Sequence, residues 1–352
     1  MSYQIVKTPR FYIDHINYER ATGQTSAADQ ILNGIDNDDL RMAGLNPNPP
    51  MVRLYPSETG DHAIYRFPIV SQKHNWCGII GHDMGTANTF FYPRYYDRTI
   101  DQSIACRNAI ALVNGGYELE LYENTVDGFS LWVNENEGDY FLKGSEEEPY
   151  TNPITHFSFI FHPTNEVNGV HTWETDALTI GSLCVGTYYD MPQAADLEVK
   201  MSIEMGGVKN RKTQGGASLA TINYIKPPDW GDMGAWQLGT DDDGNPLSNL
   251  RNGRRVWDLS FSFLSDSDVM PNLGVQNYED GVTTEDIITG TDFFSVVWNR
   301  TLGGHLPFIF QPDSTNFFSD QFAICRFDMK SLKITQTMHR KYNVTLKIRE
   351  SW

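Results

Sequence analysis

The chain has 352 residues, with 45 acidic and 27 basic side chains and a formal charge of −18. That balance excludes the basic face that nucleic-acid binding needs, and it excludes docking on an anionic membrane. With 40% hydrophobic and 20% charged residues, the composition is that of a folded chain with a sizeable core, long enough for two domains or for one with a large insertion. No apolar run approaches the ~18–20 residues of a membrane-spanning helix, so no membrane insertion is expected.

Residues 1–60 are polar and end in the Pro-rich run Leu45-Asn46-Pro47-Asn48-Pro49-Pro50. They read as an extended arm with little core of its own, one that orders only against a neighbour. The start, Met1–Lys7, has no apolar signal core, which points to synthesis in a cytoplasm. A weak helix is expected from Ser26 through Leu32.

Residues 61–200 carry closely spaced strand signals at Tyr117–Leu121, Phe129–Val133, Phe157–Phe161 and Ile180–Tyr188, separated by turn sequences such as Asn114-Gly115-Gly116, Asp127-Gly128 and Asn168-Gly169. This is the pattern of a β-sandwich. Leu197–Met205 reads as a further strand.

In residues 201–352, Trp257, Leu259, Phe261 and Phe263 alternate with Asp258, Ser260 and Ser262, the period of a half-buried strand. Val344, Leu346 and Ile348 do the same against Thr345, Lys347 and Arg349. One helix is expected over 292–301, with Thr291 as N-cap, Phe293, Phe294, Val297 and Trp298 as its apolar stripe, and Gly303-Gly304 ending it. The third part thus reads as an α+β barrel or sandwich capped by one helix. Trp257, Phe261 and Phe308 are its expected core.

The charge is uneven. Residues 118–148 sum to −9, and residues 321–352 to +5. Gly206-Gly207-Val208-Lys209-Asn210-Arg211-Lys212-Thr213-Gln214-Gly215-Gly216 is a basic island bracketed by glycine pairs. It reads as a mobile loop in which Lys209, Arg211 and Lys212 are candidate contacts between subunits.

Signatures of chemistry are sparse. The sequence has no G-x-S-x-G, H-E-x-x-H, phosphate-binding loop or C-x-x-C. Thr240-Asp241-Asp242-Asp243-Gly244 lacks the acids a calcium loop needs at its first and last positions and reads as a tight turn. His156 and His162 flank one strand without a third ligand, so neither metal nor cofactor is expected. Cys77, Cys106, Cys184 and Cys325 read as buried free thiols. Aromatic residues of the middle part (Trp132, Tyr140, Trp173, Tyr188, Tyr189) suit stacking on a sugar ring if exposed, and core packing if not; Trp132, Trp173 and Tyr188 are the candidate carbohydrate contacts.

Arg254–Phe261, the helix, Gly303-Gly304-His305-Leu306-Pro307-Phe308-Ile309-Phe310-Gln311-Pro312-Asp313, Gln321–Ile324 and the final strand Tyr342–Glu350 together resemble the minor tail and distal tail proteins of tailed bacteriophages. Trp76–Met84 and Ile180–Gly186 resemble segments of phage virion proteins with a galactose-binding-like sandwich, and the whole chain is similar to structural proteins of marine phages. The resemblance implies a mainly β protein: a jelly-roll, galactose-binding-like β-sandwich (61–200) beside a tail-tube-like split β-barrel with one packed helix (201–352). It implies a homo-oligomeric ring, hexamer or trimer, at the tail tip or baseplate of a virion, with other tail proteins as partners and no catalytic residues. The sandwich precedes most of the barrel here, where many distal tail proteins carry it after. The alternative is a receptor- or carbohydrate-binding virion module, a fibre or fibre adaptor that meets a host surface glycan. A polysaccharide-degrading enzyme is the third reading.

Overall fold

A computed structural model describes residues 6–26, 29–35, 41–47, 51–56, 62–70, 73–113, 127–134, 140–145, 147–163, 166–167, 170–173, 177–204, 209–221, 254–270, 290–317 and 321–351. The chain begins with β1 (Arg10–Asp14), α1 (His15–Ala21), β2 (Ile31–Asn33), β3 (Val52–Leu54), β4 (Ala63–Pro68), β5 (Trp76–His82) and β6 (Thr89–Asp97). Next come β7 (Gln102–Arg107), β8 (Ala109–Val113), β9 (Gly128–Asn134), β10 (Leu142–Lys143), β11 (His156–Pro163), β12 (Glu166–Val167), β13 (Val170–His171) and the long β14 (Leu178–Asp190). The rest comprises β15 (Lys200–Glu204), β16 (Lys209–Lys212), β17 (Ser218–Thr221), β18 (Arg254–Ser265), α2 (Asp266–Val269), a π-helical segment (Phe294–Asn299), β19 (Phe308–Gln311), β20 (Ala323–Phe327), β21 (Lys333–Met338) and β22 (Lys341–Glu350).

The protein is mainly β, and its two large sheets are antiparallel. Twelve strands make one sheet in the order β15-β18-β22-β20-β19-β1-β14-β5-β9-β8, with β21 on β22 and β3 on β14. Six make the second, β10-β7-β6-β11-β4-β2.

The larger sheet serves three cores. On one face, Cys77, Ile79, Trp132, Leu183 and Val185 meet Tyr65, Phe67, Phe91, Phe157 and Phe159 of the six-stranded sheet, a sandwich-like packing. Farther along the same face, Trp257, Leu259, Phe261, Phe308, Leu346 and Ile348 pack with Phe293, Val296 and Val297 around the π-helical segment. The opposite face closes on itself. Phe129 of β9 and Phe322, next to β20, have ring centroids 5.3 Å apart, although five inter-strand steps of ~4.8 Å would separate those strands on a flat sheet. The sheet therefore curls strongly, with Tyr12, Trp76, Ile80 and Cys184 inside the curl. Among the described residues it does not close into a barrel: β15 and β8 are its two ends.

Several expectations change. Residues 1–60 are not merely an arm. Every residue of β1 is buried, and β1 pairs with β14 on one side and β19 on the other. Phe11 and Ile13 enter the core under the π-helical segment, and Tyr12 enters the curl. The middle and C-terminal parts are consequently not separate sheets, because β1 joins them. The helix expected from Ser26 gives way to β2, whose Ile31 and Leu32 pair with β4. A helix instead begins at His15. Asp14, fully buried, accepts from the backbone N–H groups of Ile16 (3.3 Å) and Asn17 (3.1 Å), and also from Leu45 (2.9 Å) and Val185 (3.3 Å). It thus caps the helix and ties three segments together. Burial pushes its carboxyl up to about 6, against those four N–H groups, which favour the charged form.

In the expected helix at 292–301 the turns widen to π geometry, and the cap is Asp292, whose carboxylate accepts from the Ser295 N–H (2.9 Å) and hydroxyl (2.7 Å). Trp257, Leu259 and Phe261 do face the core, and Trp257, Phe261 and Phe308 are fully buried. Phe263 does not share that face. The register with β22 shifts between Phe261 and Leu264, Phe263 has φ 62°, and it is 54% exposed while Leu264 is buried. Phe129–Val133, Phe157–Phe161 and Ile180–Tyr188 fall within β9, β11 and β14, and Leu197–Met205 shortens to β15. Tyr117–Leu121 and the turn at 240–244 lie outside the described residues. The four cysteines are buried and unpaired.

Candidate functional site

Two surfaces draw attention. The first is a cleft on the β14 face, where the six-stranded layer ends and the π-helical segment begins. β5 pairs with β14 only as far as Trp76 opposite Gly186, so Thr187–Asp190 run on beyond it and form the floor. Asn75 and Tyr140 make one wall, and Thr291 and Val296 the other. The cleft measures about 220 Å³.

Its floor is tightly held. Arg10 donates two hydrogen bonds to the Asp190 carboxylate, both 2.6 Å, and lies over the Tyr188 ring at 4.1 Å. Burial works against the Arg10 charge, but the bonds and field of Asp190, with Tyr12, outweigh it and raise the guanidinium's pKa. The Tyr188 N–H donates to Asn75 Oδ1 (2.7 Å), and its hydroxyl to the Asn134 carbonyl (3.0 Å). The Tyr189 hydroxyl donates to the Asp268 carbonyl (3.0 Å). Behind Thr187 lies a buried cluster of two neutral histidines and Arg300. His15 Nε2 is 2.9 Å from the Thr187 hydroxyl and accepts from Arg300, and the His15 and His74 rings are 5.3 Å apart. Burial first, then Arg300, lowers the pKa of both histidines, that of His74 to about 3. Tyr140, half-buried, has its hydroxyl pKa raised by burial and opposed by Arg300; Lys73 Nζ lies 5.5 Å from its ring centre.

The second surface is the hairpin of β16 and β17. Lys209, Arg211 and Lys212 lie on β16, paired opposite Thr221, Leu219 and Ser218. The expected loop is thus a strand and a tight turn, closed by Thr213 N–H to the Ala217 carbonyl (2.9 Å) with Gly216 at φ 83°. Every residue from 210 to 221 is exposed.

The three carbohydrate candidates separate. Trp132 is fully buried, its ring 4.6 Å from that of Phe91, and presents no face to a ligand. Trp173 is half-buried against the sandwich core. Tyr188 reaches the cleft, but one face is taken by Arg10. The ring that walls the cleft is Tyr140. Arg10, Asn75, Thr187, Asp190 and Thr291 carried no sequence signal for this role; the aromatic residues Tyr140, Tyr188 and Tyr189 did, and all three line the cleft. Among the described residues, no group of three or more His, Cys, Asp or Glu is placed to hold a metal ion.

No family model, no curated protein and no solved structure matches the chain.

Proposed function

We propose that the protein is a virion structural subunit of a tailed bacteriophage, a tail-tip or distal tail ring component that assembles through contacts between its own copies and with other tail proteins. On this reading the sandwich is galactose-binding-like and faces outward, and the C-terminal part of the large sheet with its packed helix is the split-barrel unit.

The observation that carries the reading is the β16–β17 hairpin. A two-stranded hairpin is marginally stable in water by itself, and this one leaves residues 210–221 exposed, Leu219 at 57% among them. A neighbouring copy supplies what it lacks. Arg211 and Lys212 are opposite in sign to the −9 stretch of residues 118–148, the complementarity a contact between copies needs. The sheet end supports the same reading. Among the described residues β15 has no strand on its outer side, and it exposes Met201 and Ile203.

Light scattering on a sizing column, with negative-stain images of the peak, tests it. The expected result is a closed ring that falls to smaller mass in the Arg211→Glu, Lys212→Glu double variant. A chain that stays monomeric, or a ring that survives charge reversal, would sink this assembly reading and put the receptor-binding alternative first.

A further inference from the structure

We propose that the cleft between the six-stranded layer and the π-helical segment binds a single neutral sugar residue of a glycan. The inference stands apart from ring assembly, since none of its residues lies on the hairpin.

Size comes first. About 220 Å³ is below the ~300 Å³ at which pockets for drug-sized molecules begin, so one small ring fits and an oligomer would have to extend outward. Chemistry comes second. The Tyr140 ring and Val296 give opposite walls an apolar surface, while Thr187, Asp190, Thr291 and Asn75 put hydroxyl, carboxylate and amide groups between them. A pyranose presents that alternation, with C–H groups on its faces and hydroxyls around its edge. Rigidity is the third point. Asp190 is fixed by two 2.6 Å bonds from Arg10, and Asn75 by the Tyr188 N–H at 2.7 Å. A ligand therefore meets groups already in place, and little side-chain entropy is lost on binding. Charge selects within the class. Arg10 is balanced by its ion pair with Asp190, Arg300 behind Thr187 has Glu19 in its field, and Asp268 and Asp292 act on Tyr189 of the lining, with Lys73 beside Tyr140. The charges around the cleft thus carry no positive excess, and the Asp190 carboxylate on its lining disfavours an acidic ligand, so the site favours a neutral sugar.

Saturation-transfer NMR on the full chain, with neutral hexoses, hexuronic acids and sialic acid as probes, tests the proposal. Saturation should reach the ring protons of the neutral hexoses more strongly than those of the acidic sugars, and added salt should not abolish it. Thr291→Trp, at an exposed position, should fill the cleft and abolish transfer with an unchanged melting curve and native mass. Tyr140→Ala should weaken binding about ten-fold. No transfer from any probe at millimolar concentration would overturn the site. Transfer that survives Thr291→Trp would overturn its location, and equal transfer to neutral and acidic sugars would overturn the ligand class.

Discussion

Lowering the pH from 7 to 5 should destabilise the fold through three buried histidines. His74 and His82 are held neutral, with pKa values near 3, chiefly by burial; Arg300 adds to the effect at His74, and Asp127 opposes it at His82. His15 is lowered well below its usual range by burial, Arg300 and His74. In the unfolded chain each titrates near 6.5. The unfolded state therefore binds more protons below pH 6.5, and the stability that the neutral rings contribute above that pH is lost as pH falls toward 3. At ~1.4 kcal/mol per pH unit, each histidine removes ~2 kcal/mol by pH 5, or ~6 kcal/mol for three. Asp14 acts in the opposite sense. Its folded value near 6 lies above the unfolded 3.8, so it gives back ~1 kcal/mol between pH 6 and 5. The net loss of ~5 kcal/mol is a large fraction of the ~5–15 kcal/mol that holds a typical domain. Urea titrations followed by tryptophan fluorescence at pH 7 and pH 5 would measure it. In His82→Gln, which removes one of the three titrations, the net loss should shrink by about two fifths. Equal urea midpoints at the two pH values would refute the reasoning.

Two further outcomes follow from the packing. Trp257→Ala should cost ~3–5 kcal/mol, because the ring is fully buried, 5.2 Å from Phe310. Trp257→Phe should keep most of that stability, since the buried indole N–H has no hydrogen-bond partner to lose; a loss equal to that of the alanine variant in a denaturant melt would contradict this. At the bulge, Leu264→Ala should cost ~2–5 kcal/mol and Phe263→Ser less than ~0.5 kcal/mol. The reverse order would mean that Phe263, not Leu264, fills the core.

Strand alternation was legible wherever one face of a strand meets a core and the other meets water. β18 and β22 are such strands, with Trp257, Leu259 and Leu346 inward and Asp258 and Thr345 outward. β1 was not legible because both of its faces are buried, which erases the alternation. Its place between β14 and β19 also depends on partners about 180 and 300 residues away. The bulge at Phe263 broke a pattern that looked regular, because one extra residue reverses every side chain after it. α1 had a readable cap in Asp14 but only seven residues, too few for a clear apolar stripe. The stretch from Ser26, with better helix composition, was overruled by pairing with β4.

The sequence by itself determined the β class, the hydrophobic faces of the long strands, the core positions of Trp257, Phe261 and Phe308, and the position of the basic segment at 209–212. Each depends on neighbours along the chain, where period and charge are visible. The tertiary structure alone decided that one sheet joins the middle and C-terminal parts, and that Trp132 lies inside while Tyr140 walls a cleft. It alone brought Arg10, Asn75, Tyr140, Asp190 and Thr291 together. Those residues meet because β14 outruns β5 and the two layers stop short of each other, and the ends of packed layers leave no period in a sequence.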